Sequence, residues 1–82
     1  MVLNKEYIPA YLLKPQERAL INTIQVEEGL KIQLSELGVY EGVEIMLKSK
    51  APFQGPAIFK INNVDLGLDK HIALNILVEK SI

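Results

Sequence analysis

Two short segments give the strongest signals for the fold, Leu37-Gly38-Val39-Tyr40-Glu41-Gly42-Val43 and, eight residues later, Ala51-Pro52-Phe53-Gln54-Gly55-Pro56. Glycine adopts left-handed backbone conformations at little cost, so Gly38 and Gly42 are predicted to be structural turn residues that end a helix and open a strand. The two prolines and the glycine of residues 51–56 predict a stiff loop between that strand and the next. This order of elements indicates a small barrel that presents loops rather than a catalytic pocket.

The flanking segments complete a mainly β pattern. Alternating apolar residues bounded by Gly, Pro or Asn predict five short strands, at 17–26, 43–48, 57–62, 64–68 and 75–79. Glu27 and Glu28 suit the start of a helix of about three turns, which Gly38 ends. The sequence therefore predicts a small antiparallel β-barrel of about five strands with one α-helix. Residues 1–9 are predicted to be an N-terminal extension, and residues 10–82 the folded domain.

The sequence also predicts which helix residues face the core and where a tight turn and a short helical turn begin. Leu30, Leu34 and Leu37 lie on one helical stripe and are predicted to face the core. Ile32 and Val39 lie off that stripe and, if exposed, would extend an apolar patch toward a partner or a second copy. Three polar residues complete the pattern, since Asn62-Asn63 predicts a tight turn and Asp69 predicts a helix cap.

Composition narrows the class of protein. The 82 residues make one domain, and the absence of cysteine excludes disulfides and thiolate metal sites. Nine basic and ten acidic side chains nearly cancel, whereas nucleic-acid binders show a basic excess. No apolar run approaches the roughly 20 residues that span a bilayer, and the N-terminus lacks the pattern of a signal peptide. We expect a cytoplasmic protein without nucleic-acid binding or direct membrane insertion.

The ordered motifs resemble a known family. Residues 34–43 look like the helix end and turn of the ferrous iron transport protein A (FeoA) family, and residues 51–56 resemble its Ala-Pro loop. Leu13-Lys14-Pro15 and Leu66-Gly67-Leu68 fit its opening and closing segments. The resemblance covers about residues 10–80 and implies an SH3-like β-barrel. Three positions depart from the family pattern, Gln16 and Asn63 in place of glycine and Asp69 in place of arginine.

The resemblance also implies a function. Members of this family act as cytosolic accessory proteins of Fe(II) uptake on the large membrane transporter FeoB, which carries a GTP-binding domain. The same barrel is appended to metal-dependent repressors of the diphtheria-toxin-repressor type. We expect no DNA-binding or metal-sensing domain to precede it, and we prefer the free-standing interpretation.

Residues that could carry chemistry are sparse. One histidine, no phosphate-binding loop and no partnered serine argue against an enzyme, and no pattern requires a cofactor. Asp69 and His71 are candidate Fe(II) ligands, but residues two apart on a helical turn do not face each other. We favour a capping aspartate and a surface histidine, with no metal site. The lysines at 48, 50 and 60 predict a solvated basic strip, or attraction to an acidic patch on a protein partner.

The favoured candidate site is a partner-binding loop. It comprises Ala51, Pro52, Phe53, Gln54, Gly55 and Pro56, with Tyr40 and Lys48 beside them. A stiff loop loses less entropy on binding than a flexible one. Phe53 is expected either to contact a partner from the loop tip or to fold back as a lid on the barrel. Alternative functions are a small metal-sensing domain and a domain that self-associates weakly through its strand edges.

Overall fold

The computed structural model describes residues 5–81 and contains six strands, two α-helices and one 3₁₀ helix at Ala10–Leu12. The helices are α1 (Glu28–Glu36) and α2 (Lys70–Leu74). The strands are β1 (Lys5–Pro9), β2 (Arg18–Ile24), β3 (Glu44–Lys50), β4 (Ala57–Ile61), β5 (Val64–Leu68) and β6 (Ile76–Ser81). None of the helices between residues 5 and 81 combines the length and the apolar character needed to cross a bilayer.

The strands form a single antiparallel sheet in the order β1-β6-β2-β3-β4-β5. Register shifts between Ile21 and Thr23 in β2 and between Leu47 and Ser49 in β3 mark bulges, which bend strands and increase their twist. Within residues 5–81, no ladder joins the edge strands β1 and β5, so strand pairing does not close the predicted small barrel. The mainly β class with one principal helix, nine residues long, is confirmed.

Strand β1 was not among the predicted strands. It pairs with β6 continuously, from Lys5 opposite Ser81 to Pro9 opposite Leu77. Its own sequence lacks the alternation that marks a strand, so its pairing with β6 specifies the strand. Of the predicted extension, residues 5–9 therefore belong to the sheet, while residues 1–4 lie outside the described part of the chain.

The core lies on one face of the sheet, under the 3₁₀ helix, α1 and α2. Inward-facing residues of β2, β3, β4, β5 and β6 supply it, and in β2, β3 and β4 they follow the apolar alternation. The strand residues that are buried are Ala19, Ile21, Ile24, Ile45, Leu47, Ala57, Phe59, Ile61, Leu68, Ile76 and Val78. The segment around the 3₁₀ helix adds Ala10, Tyr11 and Leu13. No polar or charged residue of residues 6–80 is buried, so the interior depends on packing.

The end of α1 corrects two predictions. Gly38, at φ +92°, donates to Ser35 O at 3.0 Å, and Val39 donates to Leu34 O at 2.8 Å. These are the paired bonds of a Schellman motif, which folds the residue after the glycine back onto the helix. Val39 is therefore buried with Leu34, whereas Leu37 at the helix cap is 59% exposed. The predictions of a core Leu37 and an off-core Val39 were wrong.

The local turn and cap signals are confirmed. Glu27 caps α1 by accepting from Leu30 N at 2.8 Å, and Asp69 caps α2 by accepting from Ile72 N at 2.8 Å. Gly42 has φ +93°, and Asn62 and Asn63 have φ values of 52° and 63°. Asparagine tolerates this region better than other side chains, which explains the tight β4–β5 hairpin.

Gln16 occupies the left-handed region at φ 72°, where glycine carries no steric cost. We expect Gln16→Gly to raise the free energy of unfolding by about 0.5–1 kcal/mol, because it relieves this strain. The backbone bond from Gln16 N to Leu47 O, 2.7 Å long, needs no side chain and is retained. Urea denaturation provides the measurement. The matched control Gln25→Gly, at an exposed position without positive φ, is expected to lower stability, and a gain there would contradict the explanation.

Glu17 links the start of β2 to β6. Its carboxylate accepts from Lys14 N at 2.8 Å and lies 2.8 Å from Lys80 Nζ. The backbone hydrogen bond first, and then Lys80, lower the Glu17 pKa below its ordinary value, and Glu17 in turn raises the Lys80 pKa. The contribution of Glu17 is thus present above its unfolded pKa and is lost as the pH falls through the folded pKa.

Glu17→Gln is therefore expected to flatten the acid limb of the stability curve. Wild type should lose more free energy of unfolding than Glu17→Gln between pH 6 and pH 3.5, because only wild type must protonate this carboxylate. Denaturant titrations at both pH values give the two differences. Equal losses in the two proteins would show that the Glu17 contacts do not stabilise the fold.

Candidate functional site

The Phe53 loop (residues 51–56) joins β3 to β4 through a tight turn. Gly55 N donates to Pro52 O at 3.2 Å, and Ala51 N donates to Pro56 O at 2.8 Å. Phe53 and Gln54, the two central residues, have φ values of 61° and 59°. Positive φ at both central positions is the geometry of a type I′ hairpin turn, which usually selects asparagine and glycine.

Phe53 stands at the tip of this turn and is 99% exposed. The interpretation of Phe53 as a lid on the barrel is therefore wrong. A bulky side chain in the left-handed region costs about 1–2 kcal/mol, and an exposed phenylalanine gains nothing from folding in return. Backbone strain of this kind concentrates at functional sites, so this loop is a candidate recognition element.

The base of the loop is held by packing and one long-range hydrogen bond. A Cβ added at Gly55 would lie 2.8 Å from Ala51 Cβ and 3.1 Å from Pro52 O, so only glycine fits without movement. Tyr11, from the 3₁₀ helix, donates its hydroxyl proton to Gly55 O at 3.0 Å. Because the Tyr11 ring is buried, this bond ties the loop to the core.

Two lysines flank the loop around the same tyrosine. Lys50 Nζ lies 4.6 Å from the centroid of the Tyr11 ring, and Lys70 Nζ lies 6.0 Å from it. Lys70 also donates a hydrogen bond to Gln54 Oε1. Both ammonium groups are close enough to the ring for a cation–π contact. Two positive charges therefore lie at the base of the Phe53 loop. Sequence reasoning missed Tyr11 and Lys70, which are 44 and 15 residues from the glycine at position 55.

The structure does not gather all the predicted site residues. Lys48 lies three residues before the loop, but its ammonium binds Asp65 Oδ2 at 2.7 Å and is thus directed toward β5. Tyr40 precedes β3, whereas the Phe53 loop follows it, and seven strand residues separate the two ends by about 20 Å. Tyr40 is therefore not beside the loop.

The predicted strip of three lysines is not formed. The bulge between Leu47 and Ser49 brings Lys50 into register with the buried Ala57, so Lys50 lies on the opposite face from Lys60. Lys60 instead lines a shallow concavity of about 310 Å³ on the outer face. Its walls are mainly polar and comprise Arg18, Glu44, Met46, Lys60, Asn62 and Asn63.

The two carboxylates nearest to His71 in the sequence have other contacts. Asp69 accepts the capping bond from Ile72 N, and Asp65 binds Lys48. His71 is exposed on α2. Over the part of the chain that the structure describes, no group of three His, Cys, Asp or Glu side chains is placed to hold a metal ion.

Solved structures share this architecture. Iron(II) transport protein A from Clostridium thermocellum is 32% identical, with a TM-score of 0.83 over 88% of this chain and 44% of that chain. FeoA from Chlorobium tepidum is 24% identical, with a TM-score of 0.81 over 87% of this chain and 68% of that chain. A manganese-dependent transcriptional repressor is 13% identical, with a TM-score of 0.82 over 99% of this chain and 45% of that chain, which shows the fold alone. The sequence matches no curated protein sequence.

These likenesses and the strand order define a small SH3-like domain, as expected. The family model described as the FeoA domain matches residues 8–80, nearly the whole chain. The chain belongs to the FeoA family.

Proposed function

We propose that this protein is a non-enzymatic accessory factor of Fe(II) uptake that binds the cytoplasmic part of a FeoB-type transporter and modulates it. Membership of the FeoA family supports the link to iron, and the Clostridium thermocellum relative is named for iron(II) transport. The observation that carries the docking role is Phe53, fully exposed on a strained and anchored turn. A cytoplasmic location is part of this proposal.

In the proposed mechanism, the protein docks on the transporter and binds one of the transporter's conformations more tightly than the other. Two prolines and the hydrogen bond from Tyr11 restrict the Phe53 loop before binding, so contact with the transporter costs little conformational entropy. A bound accessory protein shifts a mobile element only by the difference between its affinities for the two conformations. A nucleotide-dependent conformation of the GTP-binding domain supplies such an element.

A pull-down with the FeoB cytoplasmic region tests this proposal, carried out without nucleotide, with GDP and with a non-hydrolysable GTP analogue. We expect retention of this protein, with an amount that differs between nucleotide states. Absence of retention in all three conditions, with both proteins folded, would contradict the proposed function. Equal retention in all three would support binding but reject the coupling to nucleotide state.

A further inference from the structure

The lysines beside the Phe53 loop differ from several others in the chain. Three lysines elsewhere are paired with carboxylates, namely Lys31 with Glu41, Lys48 with Asp65 and Lys80 with Glu17. Lys50 and Lys70 have no carboxylate partner within residues 5–81; their contacts are the Tyr11 ring and the Gln54 amide oxygen. Their charges are therefore not neutralised by an ion pair in this molecule.

The nearest carboxylate along the chain does not cancel this charge by pairing. Asp69 is adjacent to Lys70, but its side chain accepts the capping bond from Ile72 N at 2.8 Å. The tyrosine ring and the amide oxygen position the ammonium groups without removing their charge. A binding partner thus meets one apolar ring at the tip and two cations at its base.

From this arrangement we infer that the partner surface is an apolar pocket with carboxylates on its rim. The inference rests on the proposed function and specifies the chemistry of the transporter surface. The ring of Phe53 fills the pocket, and Lys50 and Lys70 face the rim carboxylates. Complementary charge of this kind accelerates association and is screened by salt.

An anionic lipid surface offers part of the same chemistry, but the loop suits a protein pocket better. Its tip is one narrow turn with a single large apolar side chain, and two lysines accompany it. Peripheral membrane attachment needs a larger apolar face or several basic residues. Vesicles therefore serve as a comparison in the test.

The test measures the affinity of charge variants for the FeoB cytoplasmic region at several salt concentrations. Lys70→Glu is expected to weaken binding about tenfold at low salt, with a smaller effect at high salt, because it places a negative charge opposite the rim. The matched control is Lys60→Glu, which makes the same change of net charge on the exposed outer face of β4. It is expected to bind within about twofold of wild type, because local charge near the loop governs the contact.

Several outcomes would overturn the inference. If Lys50→Glu and Lys70→Glu bind like wild type while Phe53→Ala does not, the rim is not acidic, and the proposed docking function still stands. Equal weakening by Lys60→Glu would show a dependence on net charge alone. Equally tight binding to phosphatidylserine vesicles would identify a lipid surface instead. Lys70→Gln, which removes the charge without reversing it, is expected to give a smaller loss and serves if Lys70→Glu does not fold.

Discussion

Phe53→Ala is expected to weaken binding to the FeoB cytoplasmic region by about 100-fold while leaving the thermal unfolding midpoint unchanged. A buried aromatic anchor typically contributes about 2–4 kcal/mol to an interface, and each 1.4 kcal/mol is a factor of ten in affinity. In the free protein the ring is 99% exposed, so its removal deprives the fold of no packing. Isothermal titration calorimetry and thermal denaturation of the same samples give both quantities.

Phe53→Gly provides a sharper control for the same position. It removes the ring and also the strain of φ 61°, so it should lose binding and gain up to about 1 kcal/mol of unfolding free energy. A protein that is more stable and yet does not bind separates recognition from folding. Binding by both variants at wild-type affinity would show that the ring takes no part in docking.

Phe59→Ala is expected to have the largest effect on stability, a loss of about 3–5 kcal/mol of unfolding free energy. Phe59 is fully buried in β4, opposite Leu47 of β3 and Leu66 of β5. Its truncation leaves a cavity in the centre of a small core, and small domains have only about 5–15 kcal/mol of stability in total. Urea denaturation measures the loss. A variant that fails to fold at 37 °C would show the same effect.

The two phenylalanines of this chain form a matched pair, because the same substitution is made six residues apart. Phe59→Ala should lose stability although its Phe53 loop is unchanged in sequence. Phe53→Ala should keep its stability and fail to bind. Phe59→Leu, which keeps most of the apolar volume, should recover much of the loss. Similar stability losses at positions 53 and 59 would contradict the burial that the structure assigns to them.

Much of the fold could be predicted because its signals are local. Gly38, Gly42 and the Asn62-Asn63 pair have the conformations that their residue types favour, and Glu27 and Asp69 cap their helices. The apolar alternation in β3 and β4 coincides with their buried residues, which are Ile45, Leu47, Ala57, Phe59 and Ile61. Each of these features depends on residues within a few positions of one another.

The predictions were wrong or incomplete where contacts with other parts of the chain determine the local structure. β1 is specified by β6, more than sixty residues away in the sequence. Leu37 continues a helical period that the Schellman motif interrupts, so the core receives Val39 in its place. The bulge in β3 turns Lys50 toward Tyr11. A bulge adds one unpaired residue to a strand, and no pattern in this sequence predicts where it occurs.

The candidate site shows the same division. The sequence predicted the stiff loop. For Phe53 it left two alternatives, an exposed contact residue at the loop tip and a lid on the barrel. It did not reveal the anchoring bond from Tyr11 or the lysine on α2, because these contacts arise only when the 3₁₀ helix and α2 pack together. It also placed Tyr40 beside the loop, whereas the length of β3 separates them.

The most direct test of docking through the Phe53 loop is an NMR titration of the isotope-labelled protein with the FeoB cytoplasmic region. We expect the amide signals of Lys50, Ala51, Phe53, Gln54, Gly55 and Lys70 to shift or broaden first, and those of the outer face around Arg18, Met46 and Lys60 to be unaffected. Perturbation of that outer face or of α1, with the signals of the loop unchanged, would contradict the account.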